Sequence, residues 1–211
     1  MTLLVTSATG ANGAGYGKIL AFADDGKPIG VFGDDSRIAD PPRRLDTLGE
    51  YVLPPNFVPF PRGFAFGHDG TLFLASGIGP GGEGDNTILA LDSDRRMLPS
   101  WKVRDPELSP LDLTIAPSGN IVVSSEHPFG AANAVTTIRE YDHADGRLAR
   151  VLVPKYGVRF QKPRGLRFGP HARLYCVAQD EVVAFDFETG DCLGPVVTLP
   201  GLNGQALIFF P

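Results

Sequence analysis

Cysteine, methionine and tryptophan are scarce in this sequence, with 2, 2 and 1 among its 211 residues. Two cysteines cannot build the dense cross-linking on which very small secreted domains rely, and neither Cys176 nor Cys192 has the spacing or neighbours of a metal ligand. They leave two readings, buried free thiols or a single disulfide, of which the buried thiols suit their strand positions better. No apolar run approaches the about 18 residues of a membrane span, and Met1-Thr2-Leu3-Leu4-Val5 lacks the basic start and long apolar core of a signal peptide. A soluble, cytoplasmic protein without a membrane partner is the expectation. Basic residues are also few, 19 Lys and Arg against 24 Asp and Glu for a formal charge of −5, so there is no cationic stripe for a nucleic acid.

Glycine and proline are plentiful, 26 and 19, and they punctuate a repeat. Pro163-Arg164-Gly165-Leu166-Arg167-Phe168-Gly169 is echoed by Pro61-Arg62-Gly63-Phe64-Ala65-Phe66-Gly67 and by Pro110-Leu111-Asp112-Leu113-Thr114-Ile115-Ala116. Each unit sets apolar side chains two apart, which is strand spacing. A tight turn and a nearly unbroken apolar run follow, Leu72-Phe73-Leu74-Ala75, Ile121-Val122-Val123 and Leu174-Tyr175-Cys176-Val177, as in a strand covered on both faces. A third strand reads Ile88-Leu89-Ala90-Leu91, Ile138-Arg139-Glu140-Tyr141 and Val182-Val183-Ala184-Phe185, and an outer strand lies near Trp101, Val151 and Val196. Four antiparallel strands repeating at a fixed phase make one blade of a β-propeller.

Gly204-Gln205-Ala206-Leu207-Ile208-Phe209 matches the first strand of a unit, while Leu3-Leu4-Val5, Ile19-Leu20-Ala21-Phe22 and Ile29-Gly30-Val31-Phe32 match the second, third and fourth. The expected fold is all-β, a β-propeller of four four-stranded blades over residues 1–211, closed by pairing of the C-terminal strand with the N-terminal strands. An incomplete larger propeller is the alternative. Residues 34–60 match no blade and stand as a long inter-blade insertion, a lid, a packed connector or the remnant of deleted blades. The glycine-rich stretch from Gly10 to Gly17 is followed by neither Gly-Lys-Ser/Thr nor a helix, so a mobile surface loop suits it better than a phosphate cradle.

Superposing the units places Arg62, Asp112, Arg164 and Gln205 at the entrance of the innermost strands, with the two arginines facing each other across the channel. Two guanidinium groups and one carboxylate leave net positive charge in a narrow mouth, which favours a carboxylate or phosphate ligand. A self-contained ring of salt bridges plugging the channel is the other outcome. The second-to-third-strand loops, among them Gly77 to Asn86 and Glu126 to Asn133, emerge on the same face.

The repeated Pro-Arg-Gly-Leu-x-Phe-Gly start, with Leu174-Tyr175-Cys176-Val177-Ala178 and Val182-Val183-Ala184-Phe185-Asp186, resembles the NHL-repeat propellers and the wider six-bladed group of gluconolactonase-like enzymes and virginiamycin B lyase. The gluconolactonase resemblance implies a divalent cation such as Ca2+ in the channel. Asn203-Gly204 looks like the family's Asn-Gly, and Asn203, Asp112 and Glu126 are the set nominated to hold the metal. The lyase resemblance implies a Glu after a second strand, matched by Glu126, with His127 beside it as acid or base. Two functions therefore stand at this stage. One is a binding scaffold offering its loop face and channel to a protein or a small anionic ligand. The other is a metal-dependent hydrolase or lyase acting on a lactone or cyclic ester.

Overall fold

The computed structural model describes residues 2–7, 18–23, 25–31, 44–45, 51–52, 61–78, 85–93, 96–152 and 160–209. The glycine-rich stretch from Gly10 to Gly17 lies outside them, and so does most of 34–60. Of the latter, two short paired strands are described, β4 (Arg44–Leu45) and β5 (Tyr51–Val52). Among the described residues no helix is long and apolar enough to cross a membrane.

The chain opens with a three-stranded antiparallel sheet, β1 (Thr2–Ser7), β2 (Lys18–Ala23) and β3 (Pro28–Val31). Three complete four-stranded blades follow, each a meander. The first is β6 (Pro61–Phe66), β7 (Leu72–Ser76), β8 (Thr87–Leu91) and β9 (Met97–Lys102). The second is β10 (Pro110–Ile115), β11 (Ile121–His127), β12 (Val135–Tyr141) and β13 (Leu148–Leu152). The third is β14 (Pro163–Phe168), β15 (Arg173–Ala178), β16 (Glu181–Asp186) and β17 (Cys192–Thr198).

Register fixes the phase of the repeat. Phe64 pairs with Leu74, Leu113 with Val123 and Leu166 with Cys176, so these three positions are equivalent. Counting back, Gly63, Asp112 and Gly165 share one place, and Arg62, Leu111 and Arg164 share the next. The superposition that set Asp112 beside the arginines is one residue out of phase and is corrected here.

Blades are held to one another by their faces. Phe73, Ala75, Ile88, Ala90 and Val103 of the first blade pack on Leu113, Ile121, Val123 and Tyr141 of the second. Val122, Ile138 and Leu152 of the second pack on Leu166, Leu174, Cys176 and Phe185 of the third. At about 25 cal/mol per Å² of apolar surface removed from water, such faces supply the main stabilisation of a β meander. Both cysteines are buried free thiols, and burial pushes the Cys176 thiol up.

The far side of the third blade differs. Val103 and Leu152 are each 1% exposed, but Val197 at the equivalent place is 45% exposed. Ile88 and Ile138 are buried, whereas the equivalent Val182 is only half-buried. The C-terminal residues run alongside β14, Gly165 N donating to Gln205 O at 3.0 Å, and a Cβ on Gly165 would lie 2.6 Å from the Ala206 Cα. A Cβ on Gly63 would meet the Asp112 Cα at the same 2.6 Å, so the tail takes the place of a next inner strand, as expected. It has no strand assignment and, among the described residues, no hydrogen bond to β1. Among the described residues no pairing closes a four-blade ring, and Val197 on the third blade's far face is exposed.

A polar cluster locks the second blade to the connector before it. Arg139, on β12, donates to Asp105 at 2.7 Å and to Glu107 at 3.0 Å, and the Tyr141 hydroxyl donates to Asp105 at 2.8 Å. Burial alone would raise the Asp105 pKa, but the bonds from Tyr141, the Glu107 N–H and Arg139 outweigh it and hold the carboxyl below 3.8. Stability from Asp105 is therefore complete above pH 3.8 and drains away as pH falls through the lower folded value. Asp105→Asn should be less stable than wild type at pH 7, by about 1–3 kcal/mol, and the gap should close below pH 3.8, as read by urea denaturation across pH.

Candidate functional site

The second residue of an inner strand and the end of the neighbouring second strand meet at one end of the blades, and four side chains gather there. Arg62 leaves β6 beside Gly77. A Cβ at Gly77 would come 2.5 Å from Arg62 Nε, so the lack of a side chain there is what gives the guanidinium its berth. The Arg62 guanidinium stacks over the Phe129 ring at 4.2 Å, and that of Arg164, on β14, lies 5.9 Å from the same ring. Glu126, near the end of β11 and buried, accepts from Arg164 Nη1 at 3.4 Å. The two arginines share one aromatic ring rather than facing each other across a channel.

Two guanidinium groups and the Glu126 carboxylate come together at this cluster. Burial, and next the like charge of Arg164, push the Arg62 guanidinium down to about 10, with Glu126 opposing. Arg62 is thus charged at neutral pH at a cost in free energy. Phe129 is half-exposed in the loop after β11 and gives the cluster an apolar wall open to solvent.

His127 follows Glu126 on the strand, so their side chains leave on opposite faces. His127 Nδ1 lies 3.0 Å from Ser109 Oγ, which also accepts from Asn86 Nδ2 at 3.1 Å. Ser109 N donates to Ser125 Oγ at 3.0 Å, and Glu126 N to Ser109 O at 3.2 Å. His127 therefore braces the segment that carries Glu126. Among the described residues no hydrogen bond joins the two as an acid–base pair, and Ser109 is buried, out of reach of a substrate.

Asp112 lies elsewhere. Its Oδ2 accepts from Leu166 N at 3.0 Å and from Arg167 Nη1 at 2.8 Å, a clasp between β10 and β14. Ser124 Oγ reinforces it, donating to Arg164 O at 3.0 Å. Gln205 is exposed, its amide donating to Asn203 O at 3.1 Å, and Asn203 is exposed at φ 44°. The nominated metal set does not fit a hard cation. Glu126 and Asp112 turn to different arginines, Asn203 sits on the exposed tail, and among the described residues no group of three His, Cys, Asp or Glu converges. The structure brings together Arg62, Arg164 and Glu126 of the predicted residues. It adds Phe129 and Gly77, whose only sequence signal was a place in loops of the same face. A separate cleft of about 490 Å³, lined by Lys102, Arg104, Tyr141 and Arg147 among others, shares no residue with this cluster.

No protein-family model and no curated protein matches the sequence. Solved structures do. Streptogramin B lyase aligns over 97% of this chain and 76% of its own, at 13% identity and a TM-score of 0.57. A gluconolactonase from Xanthomonas campestris aligns over 91% and 72%, at 17% identity and 0.52. Hydrazine synthase from Kuenenia stuttgartiensis aligns over 87% and 61%, at 15% and 0.56. The fold is a β-propeller, similar to those of streptogramin B lyase and the gluconolactonase. At these identities the likeness speaks for the propeller scaffold, and the scaffold hosts unlike chemistries.

Within the propeller Asp112 is a structural clasp, and its ionisation has a sign opposite to that of Asp105. Burial raises its pKa despite Arg167 and the Leu166 and Leu113 N–H groups, so the charged form costs stability above the folded value, and that cost fades as pH falls. Asp112→Ala should cost about 1–3 kcal/mol by leaving Leu166 N–H without its acceptor. Asp112→Asn should cost less, and acidification should move the comparison in favour of the wild type. Chemical denaturation at two pH values measures both.

Proposed function

We propose that this propeller is a binding module whose loop-bearing end takes a small planar carboxylate between Arg62 and Arg164, against Phe129. The observation that carries the proposal is the meeting of two guanidinium groups, those of Arg62 and Arg164, on one exposed aromatic ring at the loop-bearing end. A carboxylate ligand would supply the in-plane acceptors that guanidinium groups prefer. Its apolar body would lie on the exposed Phe129 ring.

A second function is supported by likeness to streptogramin B lyase and gluconolactonase, both enzymes by name. In that case the ligand is a lactone or cyclic ester, the arginines hold its carbonyl oxygen, and Glu126 accepts a proton. The donor set gives no support to a cation at Asn203, Asp112 and Glu126, so no metal-dependent step is proposed.

Benzoate and citrate serve as probes in calorimetric titration. The wild type is expected to bind at least one of them, and Arg62→Met with Arg164→Met should weaken that binding at least about tenfold. Binding unaltered in the double variant, or absent from the wild type for both probes, would remove the carboxylate site.

A further inference from the structure

The Arg164 guanidinium is tied at one nitrogen and open at the other two. Nη1 donates to Glu126 Oε2 at 3.4 Å and to Pro163 O at 3.1 Å, so both acceptors converge on it. Nε and Nη2 meet no acceptor among the described residues. The side chain is 24% exposed and can be reached from solvent. Nε–H and one Nη2–H leave the planar group side by side, as two parallel donors.

Both acceptors are held in place by the blades. Pro163 O is main chain of β14, in register with Ala178 of β15. Glu126 is buried near the end of β11, and its N–H donates to Ser109 O at 3.2 Å. Ser109 is in turn fixed by the Ser125 hydroxyl, by His127 and by Asn86 of the first blade. Ser124 Oγ donates to Arg164 O at 3.0 Å, so β11 grips Arg164 both at its main chain and at its guanidinium. The site is thereby assembled from three blades: Arg62 from the first, Glu126 and Phe129 from the second, Arg164 from the third.

We infer that Glu126 is a positioning residue: by engaging Nη1 it leaves the Nε–Nη2 edge of Arg164 as the one that meets the ligand, and this edge selects a free carboxylate over an ester, amide or lactone of the same shape. The inference rests on the carboxylate reading of the site proposed above. A carboxylate sets one oxygen on each of two parallel donors and makes two charge-assisted bonds. An ester or lactone carbonyl brings one good acceptor to the same edge and leaves the second donor unfilled, which costs affinity. Without an acceptor at Nη1 the guanidinium is free to turn about its side-chain bonds and present either edge, so selection depends on the pinning. Glu126 lies at Nη1, off the edge that the ligand takes.

Calorimetric titration with benzoate against benzamide, and with citrate against its trimethyl ester, tests this on the full chain. The wild type is expected to favour at least one acid over its neutral counterpart at least about tenfold. Glu126→Ala should weaken binding of that acid at least about fivefold with little change for the neutral probe, and Glu126→Gln, whose amide oxygen still accepts from Nη1, should restore the wild-type preference. Arg164→Lys keeps the cation but not the paired donors and should reduce the preference in a fold that circular dichroism shows to be intact. The inference is overturned by an acid that Glu126→Ala binds as tightly as the wild type or more tightly, which would make Glu126 a mere competitor for Arg164 while the carboxylate site stands. Failure of Glu126→Gln to restore the preference, or its full retention in Arg164→Lys, overturns it too. A wild type that binds neither acid removes the site and this inference together.

Discussion

A blade has two apolar faces and no means of burying either by itself, and the structure follows from that constraint. Four short strands supply enough backbone pairing for a sheet, but Ile138 and Leu152 are shielded only because the third blade stands over them, as Ile88 and Val103 are shielded by the second. Each unit is stable as a neighbour. Polar contacts then set how neighbours meet. Asp112 joins two inner strands, Arg139 joins a blade to the connector ahead of it, and Trp101 donates from the first blade's outer strand to His143 O at 2.8 Å.

The arginine cluster is built on a shared ring. Elsewhere charges meet pairwise, Arg150 with Glu140 at 2.6 Å and Arg139 with Asp105 at 2.7 Å. Arg62 and Arg164 both approach the Phe129 ring, and Glu126 stands 3.4 Å from Arg164 Nη1. Loops meet at this end, and that is where a propeller carries function.

Strands were the most legible part of the sequence, because each unit repeats the same alternation and the same turn positions. Phe64, Leu113 and Leu166 could be aligned by eye, and the observed pairing upholds them. Asp112 was misplaced because it stands where its counterparts are glycines, and a lone polar residue in a repeat tempts one to slide it onto the nearest polar column. Glu126 and the two arginines were legible as candidates, but their partners were not. Phe129 is an ordinary loop aromatic until two guanidinium groups are seen to share it. Closure is a different matter: matching phase at both ends says that two segments are alike in kind to neighbouring strands, and does not by itself pair them.

Spacing between the inner strands is set by a single atom. Gly63 and Gly165 present none where the following strand passes, while the carboxylate of Asp112 fills the corresponding gap and bonds across it. The first and third modules therefore offer one kind of socket and the second another, so the units are not interchangeable parts. Exchanging the outer two modules would leave this joint intact, whereas a middle module followed by a copy of itself would set carboxylate beside carboxylate.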